Sequence, residues 1–470
     1  MIALPIFREG AAPSAVAPGD PSLRGPSGPA PSWHLIPGDP PLVFVVEGAQ
    51  IYEISEEMRE RLERGDEGAG TELRAAAALA RRSLRLDEVP ATGAPNAVTL
   101  NVAQACNLAC GYCYADEGKF GGDARLMSEE VAFRTIDRLI DEASSPRVTV
   151  GFMGGEPFLH RRLVHRSVEH ARRRAATRGI AVAFSITTNG TLIEPADVDL
   201  LRDNAFSVSV SIDGAASVND VQRPRRGGEG GSSEQALQRI TPLLRDPGAA
   251  RVVARSTVTR LDLGVAERVR SLTERGFLEV GVSPARTSRD PGLALRGDDW
   301  PVLLRELIRA AEEDLARLRA GRGPRHLQLS NLGIALKEIH AGACKALPCG
   351  SALNYVSVNA KGAYYTCHRT IDDDRFALGD AGTGPSAAAR RRFIEERLVD
   401  RQEPCRSCWA RYLCGGGCHA EVVDHGRAGC DYIRGWLSYC IRTYDNVLSS
   451  LPSALGRAED GAHDQQDHPA

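Results

Sequence analysis

Residues 97–113 read AVTLNVAQACNLACGYC. The opening AVTLNV carries apolar and β-favouring residues in the pattern of a buried strand. The stretch ends in a loop bearing three cysteines, Cys106, Cys110 and Cys113, at C-x3-C-x2-C spacing. β/α barrels build their active sites on loops that leave the C-terminal ends of strands, so the fold depends on whether the pattern repeats. It does. RVTVGFM is followed by GGEP (154–157), VAFSIT by TTNG (187–190) and FSVSVSI by DG (213–214), with RVVARSTVT and LEVGVSPA as further strands. Helical stretches lie between them, such as SEEVAFRTIDRLIDEA, where Ala132, Ile136, Leu139 and Ile140 share a face. Six units predict an α/β fold, a partial (β/α)6 TIM-like barrel.

Three thiols without a fourth nearby raise a question of coordination. Structural zinc closes a set of four ligands, and a four-iron cluster has four irons to satisfy. Twelve cysteines occur in 470 residues, grouped as the first three, then Cys344, Cys349 and Cys367, then Cys405, Cys408, Cys414, Cys418, Cys430 and Cys440. With no export signal at the start, this clustering reads as metal or cluster ligation in two modules, not disulfides. The expected location is the cytoplasm. A balance of 58 basic and 61 acidic residues, net -3, advertises no surface for nucleic acid, and no apolar run is long enough for a bilayer, so no membrane is expected.

Five segments are expected along the chain. Residues 1–32, rich in Pro, Gly, Ala and Ser, read as a disordered arm, and 450–470 as a disordered tail. Residues 33–90 form a small α+β module, with LVFVVEGAQIYEISEEMRERL giving two strands about a Gly turn and a helix from near Ser55. The barrel takes 96–325. From 326 to 449 the alternation gives way to short elements rich in Gly and Cys, as expected of a region stapled by metal.

The loop C-x3-C-x-Tyr-C, with Tyr112 before its last cysteine, resembles the signature of radical S-adenosylmethionine (radical SAM) enzymes. That resemblance implies a [4Fe-4S] cluster on Cys106, Cys110 and Cys113, its fourth iron chelated by SAM, which is cleaved to methionine and a 5'-deoxyadenosyl radical. It also implies SAM contacts from Gly154, Gly155 and Glu156 in GGEP, from Asn189, from Ser211 and Asp213 in SIDG, and from Arg255, with Tyr112 beside them. RPRRGGEGGSS resembles the substrate-side loop of peptide-modifying members. Taken singly, GGEP and TTNG are ordinary turn signals; their order behind the cysteine loop is what makes them a set.

The downstream cysteines, including C-x2-C-x5-C-x3-C from Cys405 to Cys418, are similar to the SPASM domain, the auxiliary-cluster module of that family. It implies two more [4Fe-4S] clusters, one on Cys344, Cys349, Cys367 and Cys418 and one on Cys405, Cys408, Cys414 and Cys430. The residues leave open whether Cys344 is a ligand and whether Cys440 replaces Cys430; a structural zinc pair is the plain alternative. Within the family, PCGSALNYVSVNAKGAYYTCHRT and CDYIRGWLSYCIRTYDNV most resemble the maturases of quinohemoprotein amine dehydrogenase and related thioether-forming enzymes.

This implies an oxidoreductase that joins Cys sulfur to an Asp or Glu methylene in a small protein or ribosomal peptide, itself Cys-containing. A low-potential donor, ferredoxin or flavodoxin, is implied as well. The N-terminal module is then a leader-peptide-recognition candidate. Sulfatase-maturing enzymes place Asp after the cysteine matching Cys367, where this chain has His368, a candidate proton acceptor or a packing residue. Alternatives are a cyclophane-forming or Cys-to-Cα thioether maturase, or a non-catalytic cluster- or zinc-bearing scaffold that binds a peptide.

Overall fold

The computed structural model describes residues 32–79, 93–227 and 230–451. The expected arm, but for its last residue, the expected tail, but for its first two, and the end of the N-terminal module lie outside these. The first strands, β1 Trp33–Ile36, β2 Leu42–Val45 and β3 Gln50–Glu53, form an antiparallel sheet in that order. Helices α1 Glu56–Glu63 and α2 Glu67–Leu79 follow, with Ser55 capping α1 by accepting from the Met58 amide at 3.2 Å. Strand β1 is an addition to the sequence reading: only four residues long and followed by PGDPP, it carries too little pattern to announce itself. Strand β2 is buried along its whole length. Val43 and Val45 face the module's own core with Tyr52, Leu62 and Leu73, while Leu42 and Phe44 enter the main core of the protein. Period-two alternation thus docks the module on its neighbour.

The barrel strands are β4 Ala97–Gln104, β6 Arg147–Gly154, β7 Ala181–Thr188, β8 Ser207–Ser211, β9 Arg251–Val258 and β10 Val280–Pro284, with the short β5 Arg125–Leu126 antiparallel on β4. These six are parallel in the order β10-β9-β8-β7-β6-β4. They are joined by helices α3 Glu129–Asp141, α4 Arg161–Arg178, α5 Pro195–Asp203, α6 Ala216–Gln222, α7 Ser232–Arg245 and α8 Ala266–Thr273. The expected partial (β/α)6 barrel is present, and the face read for α3 is buried as Ala132, Thr135, Ile136, Leu139 and Ile140. Burying Ile136, Leu139 and Ile140 is worth about 1.5–3 kcal/mol each.

The sheet does not stop there. After α9 Asp299–Arg319 and α10 Ser330–His340, strand β11 Tyr355–Val358 lies parallel to β4, Val356 opposite Val98. Strands β12 Tyr364–Tyr365, β13 Ala377–Asp380 and β14 Gly384–Pro385 continue it antiparallel. Then come α11 Ala387–Arg397, the single turn α12 Arg411–Cys414, α13 His419–His425 and α14 Cys430–Ser450, which packs on α9 and α10. The cysteine-rich region therefore shares one sheet and one core with the barrel. No helix among the described residues is long and apolar enough to cross a membrane.

Candidate active site

Strand β4 delivers the three-cysteine loop to the barrel mouth, and the next loop holds it there by close backbone approach. The amides of Gly155 and Glu156 donate to the carbonyls of Ala103 (2.8 Å) and Ala105 (2.9 Å). A Cβ on Gly154 would stand 2.3 Å from the Ala103 carbonyl oxygen, and one on Gly155 2.2 Å from that of Ala105, so only glycine fits this cradle. On the far side, Asn189 donates through Nδ2 to Asn107 Oδ1 at 2.9 Å and to Cys106 Sγ at 3.8 Å.

The mouth opens into a cavity of about 640 Å³. Of the residues expected around SAM, Tyr112, Gly154, Gly155, Asn189, Ser211 and Arg255 line it beside Cys106, Cys110 and Cys113. Glu156 and Asp213 do not; both are wholly buried behind the wall. Glu156 accepts from Thr188 Oγ1 (2.8 Å) and the Phe158 amide (3.1 Å) through Oε1, and from the Asn189 amide (2.7 Å) through Oε2. Desolvation nevertheless pushes its carboxyl up to about 7. Asp213 accepts from the Thr257 amide (2.8 Å) and from the Tyr112 hydroxyl (2.7 Å). Both carboxylates fasten loops at the mouth.

The same cavity reaches Cys405, Cys408, Cys414, Cys418 and Cys430. Burial raises the thiols at both ends, Cys106 and Cys405 to about 12 and Cys110 to about 11, so the metal-free side chains are neutral and a bound metal must displace their protons. Two groups form downstream. Cys405, Cys408, Cys414 and Cys430 feel one another's charge, whereas Cys440 is sealed inside α14 with Glu338 as its charged neighbour. Cys349, Cys367 and Cys418 form the other group. Cys344 meets the Gly48 backbone, with Glu47, Asp400 and Arg411 as charged neighbours.

Each thiol group faces arginine: Arg223 at Cys106, Cys110 and Cys113, Arg369 at Cys367 and Cys418, and Arg427 and Arg434 at Cys405 and Cys430. Neutral thiols have no use for buried guanidinium groups, whereas thiolates around an anionic cluster do. Four thiolates on one zinc, each about 2.3 Å from it, crowd together; among the described residues no three His, Cys, Asp or Glu side chains are gathered tightly enough to hold a single metal ion. Thiol groups flanked by guanidinium groups have the chemistry to hold an anionic cluster.

His368 is buried and off the cavity; its Nδ1 pairs with the Tyr355 hydroxyl at 3.1 Å, and burial pulls it down to about 3. Sequence reasoning passed over the arginines, because an arginine beside a cysteine has no spacing rule. It also passed over Glu421, on the cavity wall, paired with Arg286 at 3.2 Å and Arg369 at 2.9 Å.

Residues 100–241 match the family model of the Radical SAM superfamily. That segment is a radical SAM domain. The chain is similar to the serine-type anaerobic sulfatase-maturating enzyme of Klebsiella aerogenes, 26% identical over 74% of this chain and 86% of that one. It is also similar to the mycofactocin maturase MftC of Mycobacterium ulcerans, 28% identical over 71% and 85%. The fold matches the solved structure of anSMEcpe with bound AdoMet and the Kp18Cys peptide, with a TM-score of 0.64 at 19% identity, covering 76% of this chain and 99% of that one.

Proposed function

We propose that this radical SAM enzyme is a peptide maturase that closes Cys sulfur onto an Asp or Glu methylene in a small protein or ribosomal peptide. The observation that carries the reading is the single cavity joining the three-cysteine loop to the downstream cysteine groups. Similarity to two maturases along most of the chain supports the substrate class. Cys106, Cys110 and Cys113 hold the site cluster; Gly154, Gly155, Asn189, Ser211, Arg255 and Tyr112 wall the SAM site, with Glu156 and Asp213 fixing the loops. When bound, that cluster and SAM supply one-electron hydrogen abstraction. Cys405, Cys408, Cys414 and Cys430 hold one auxiliary cluster, and Cys349, Cys367 and Cys418 a second, with Cys344 outside it. These sites offer a place for the electron released as the C–S bond closes, which a ferredoxin- or flavodoxin-like partner would carry off or return.

In the proposed division, residues 33–90 recognise the leader peptide, 96–325 form the barrel and 326–449 the auxiliary-cluster region. Strand β3 pairs only with β2 among the described residues, leaving an edge on which an extended peptide can add. Anaerobic reconstitution with SAM and dithionite is expected to give 5'-deoxyadenosine and methionine, with roughly twelve irons per chain. Stoichiometric zinc and no 5'-deoxyadenosine would favour a peptide-binding scaffold. Mass spectrometry of the co-expressed peptide is expected to find a pair of hydrogens lost per link with the thiol consumed; free thiols in a modified product would point to cyclophane chemistry.

A further inference from the structure

The segment following α6 was expected to face substrate, yet its first half is zipped to the cysteine loop. The Ala109 amide donates to the Pro224 carbonyl (2.9 Å), the Gly111 amide to Gln222 (3.2 Å) and the Arg226 amide to Asn107 (3.1 Å), and Leu108 and Arg225 form an antiparallel bridge. This staple fixes Arg223 against the loop. The side chain is 8% exposed and lines the cavity with Cys106, Cys110 and Cys113. It donates to the Tyr112 hydroxyl and lies over that ring, 5.9 Å from its centroid. No carboxylate pairs with it directly among the described residues; the Tyr112 hydroxyl, itself donating to Asp213, stands between. A buried cation with no direct carboxylate partner gains from any anion that shares its site.

We infer that Arg223 is the fixed counter-cation of the three-cysteine site and sets the reduction potential of the cluster held there. The inference rests on the reading of those cysteines as cluster ligands. Three thiolates bring negative charge into a dry pocket, and an electron entering from a one-electron reductant adds to it. A guanidinium already in place lowers the free energy of the reduced state more than that of the oxidised state, because the attraction grows with the charge it faces. Arg223 is thus a positioning residue acting through the cluster, and the staple keeps it from relaxing toward solvent.

The test is an EPR-monitored potential titration of reconstituted parent, R223Q, R223M and R223K, with dithionite as reductant. The site cluster is identified as the signal that changes on adding SAM. R223Q and R223M are expected to load the same iron as the parent and to titrate at a more negative potential. A tenfold loss in the reduced-to-oxidised ratio at fixed potential corresponds to about 59 mV. R223K, which keeps the charge without the fork, is expected to stay near the parent. A loaded R223Q at the parent's potential overturns the proposal, as does an R223K shift as large as that of R223Q. If a parent fully loaded with iron gives no SAM-sensitive signal, the cluster assignment itself fails, and the failure is distinguishable from the other two.

Discussion

At Glu156 a turn motif becomes a structural carboxylate. Its oxygens accept from Phe158, Thr188 and Asn189, yet burial raises the group from 4.5 to about 7. The folded chain therefore keeps a proton that the unfolded chain releases above 4.5. This contribution to stability is full below that pH, falls as pH rises and is gone above about 7, a loss on the order of 3 kcal/mol. A Gln side chain cannot titrate, and its amide nitrogen would meet N–H donors, at a cost of about 1–3 kcal/mol. E156Q is accordingly expected to be less stable than the parent at about pH 5, with the gap narrowing toward about pH 7.5 in denaturant midpoints; a constant gap would refute the burial argument. His368 makes the opposite case. Buried on Tyr355 and away from the cavity, it is expected to tolerate His368→Asn with 5'-deoxyadenosine formation within a few-fold of the parent and a stability loss of about 1 kcal/mol; abolished turnover in a fully folded, iron-loaded variant would make it catalytic.

Among the elements, the first four barrel strands were legible because each combines a β-rich run with a distinctive loop, the last two by their β-rich runs alone, and α3 because its apolar face repeats at helical spacing. Strand β11 was not: YVSV is too short to reveal that it pairs with β4, more than 250 residues earlier. The docking of the N-terminal module was equally hidden, since it depends on partners remote in sequence. His34 stacks on Trp409 with centroids 4.0 Å apart, on the loop between Cys408 and α12. From α14, Arg442 donates to the carbonyls of Ile36 (2.9 Å), Pro37 (3.1 Å) and Pro40 (2.6 Å). Removing that guanidinium strands several buried carbonyls, at about 1–3 kcal/mol. R442A is expected to lower the denaturant midpoint by an amount equivalent to about 1–3 kcal/mol while SAM binding stays within twofold. An unchanged midpoint would show that the apolar contacts of Leu42 and Phe44 suffice.

Across the whole molecule, the spacing of the cysteines named the ligand candidates and the family resemblance grouped them, while their surroundings needed three-dimensional neighbours. Cys405 through Cys414 were readable as a unit because they lie on one short loop and turn, and Cys430 joins them at the start of α14. Cys349, Cys367 and Cys418 come from three separate loops, one of which presses the Gly415 backbone against Leu347 and Pro348. Cys344, only five residues before Cys349 in the sequence, turns instead toward the Gly48 backbone of the N-terminal module. Position along the chain suggested a fourth ligand, and the loop also gives this thiol a contact between modules. C344S is therefore expected to keep the parent's iron and sulfide content after anaerobic reconstitution, whereas C418S loses about four irons per chain. The difference follows from proton bookkeeping: a ligand thiol must give up its proton to the cluster, so its replacement removes a bond to iron, while replacing a packing thiol removes only a contact. Equal iron losses in the two variants would place Cys344 in the cluster after all and would require the loop from 342 to 349 to turn on metal binding.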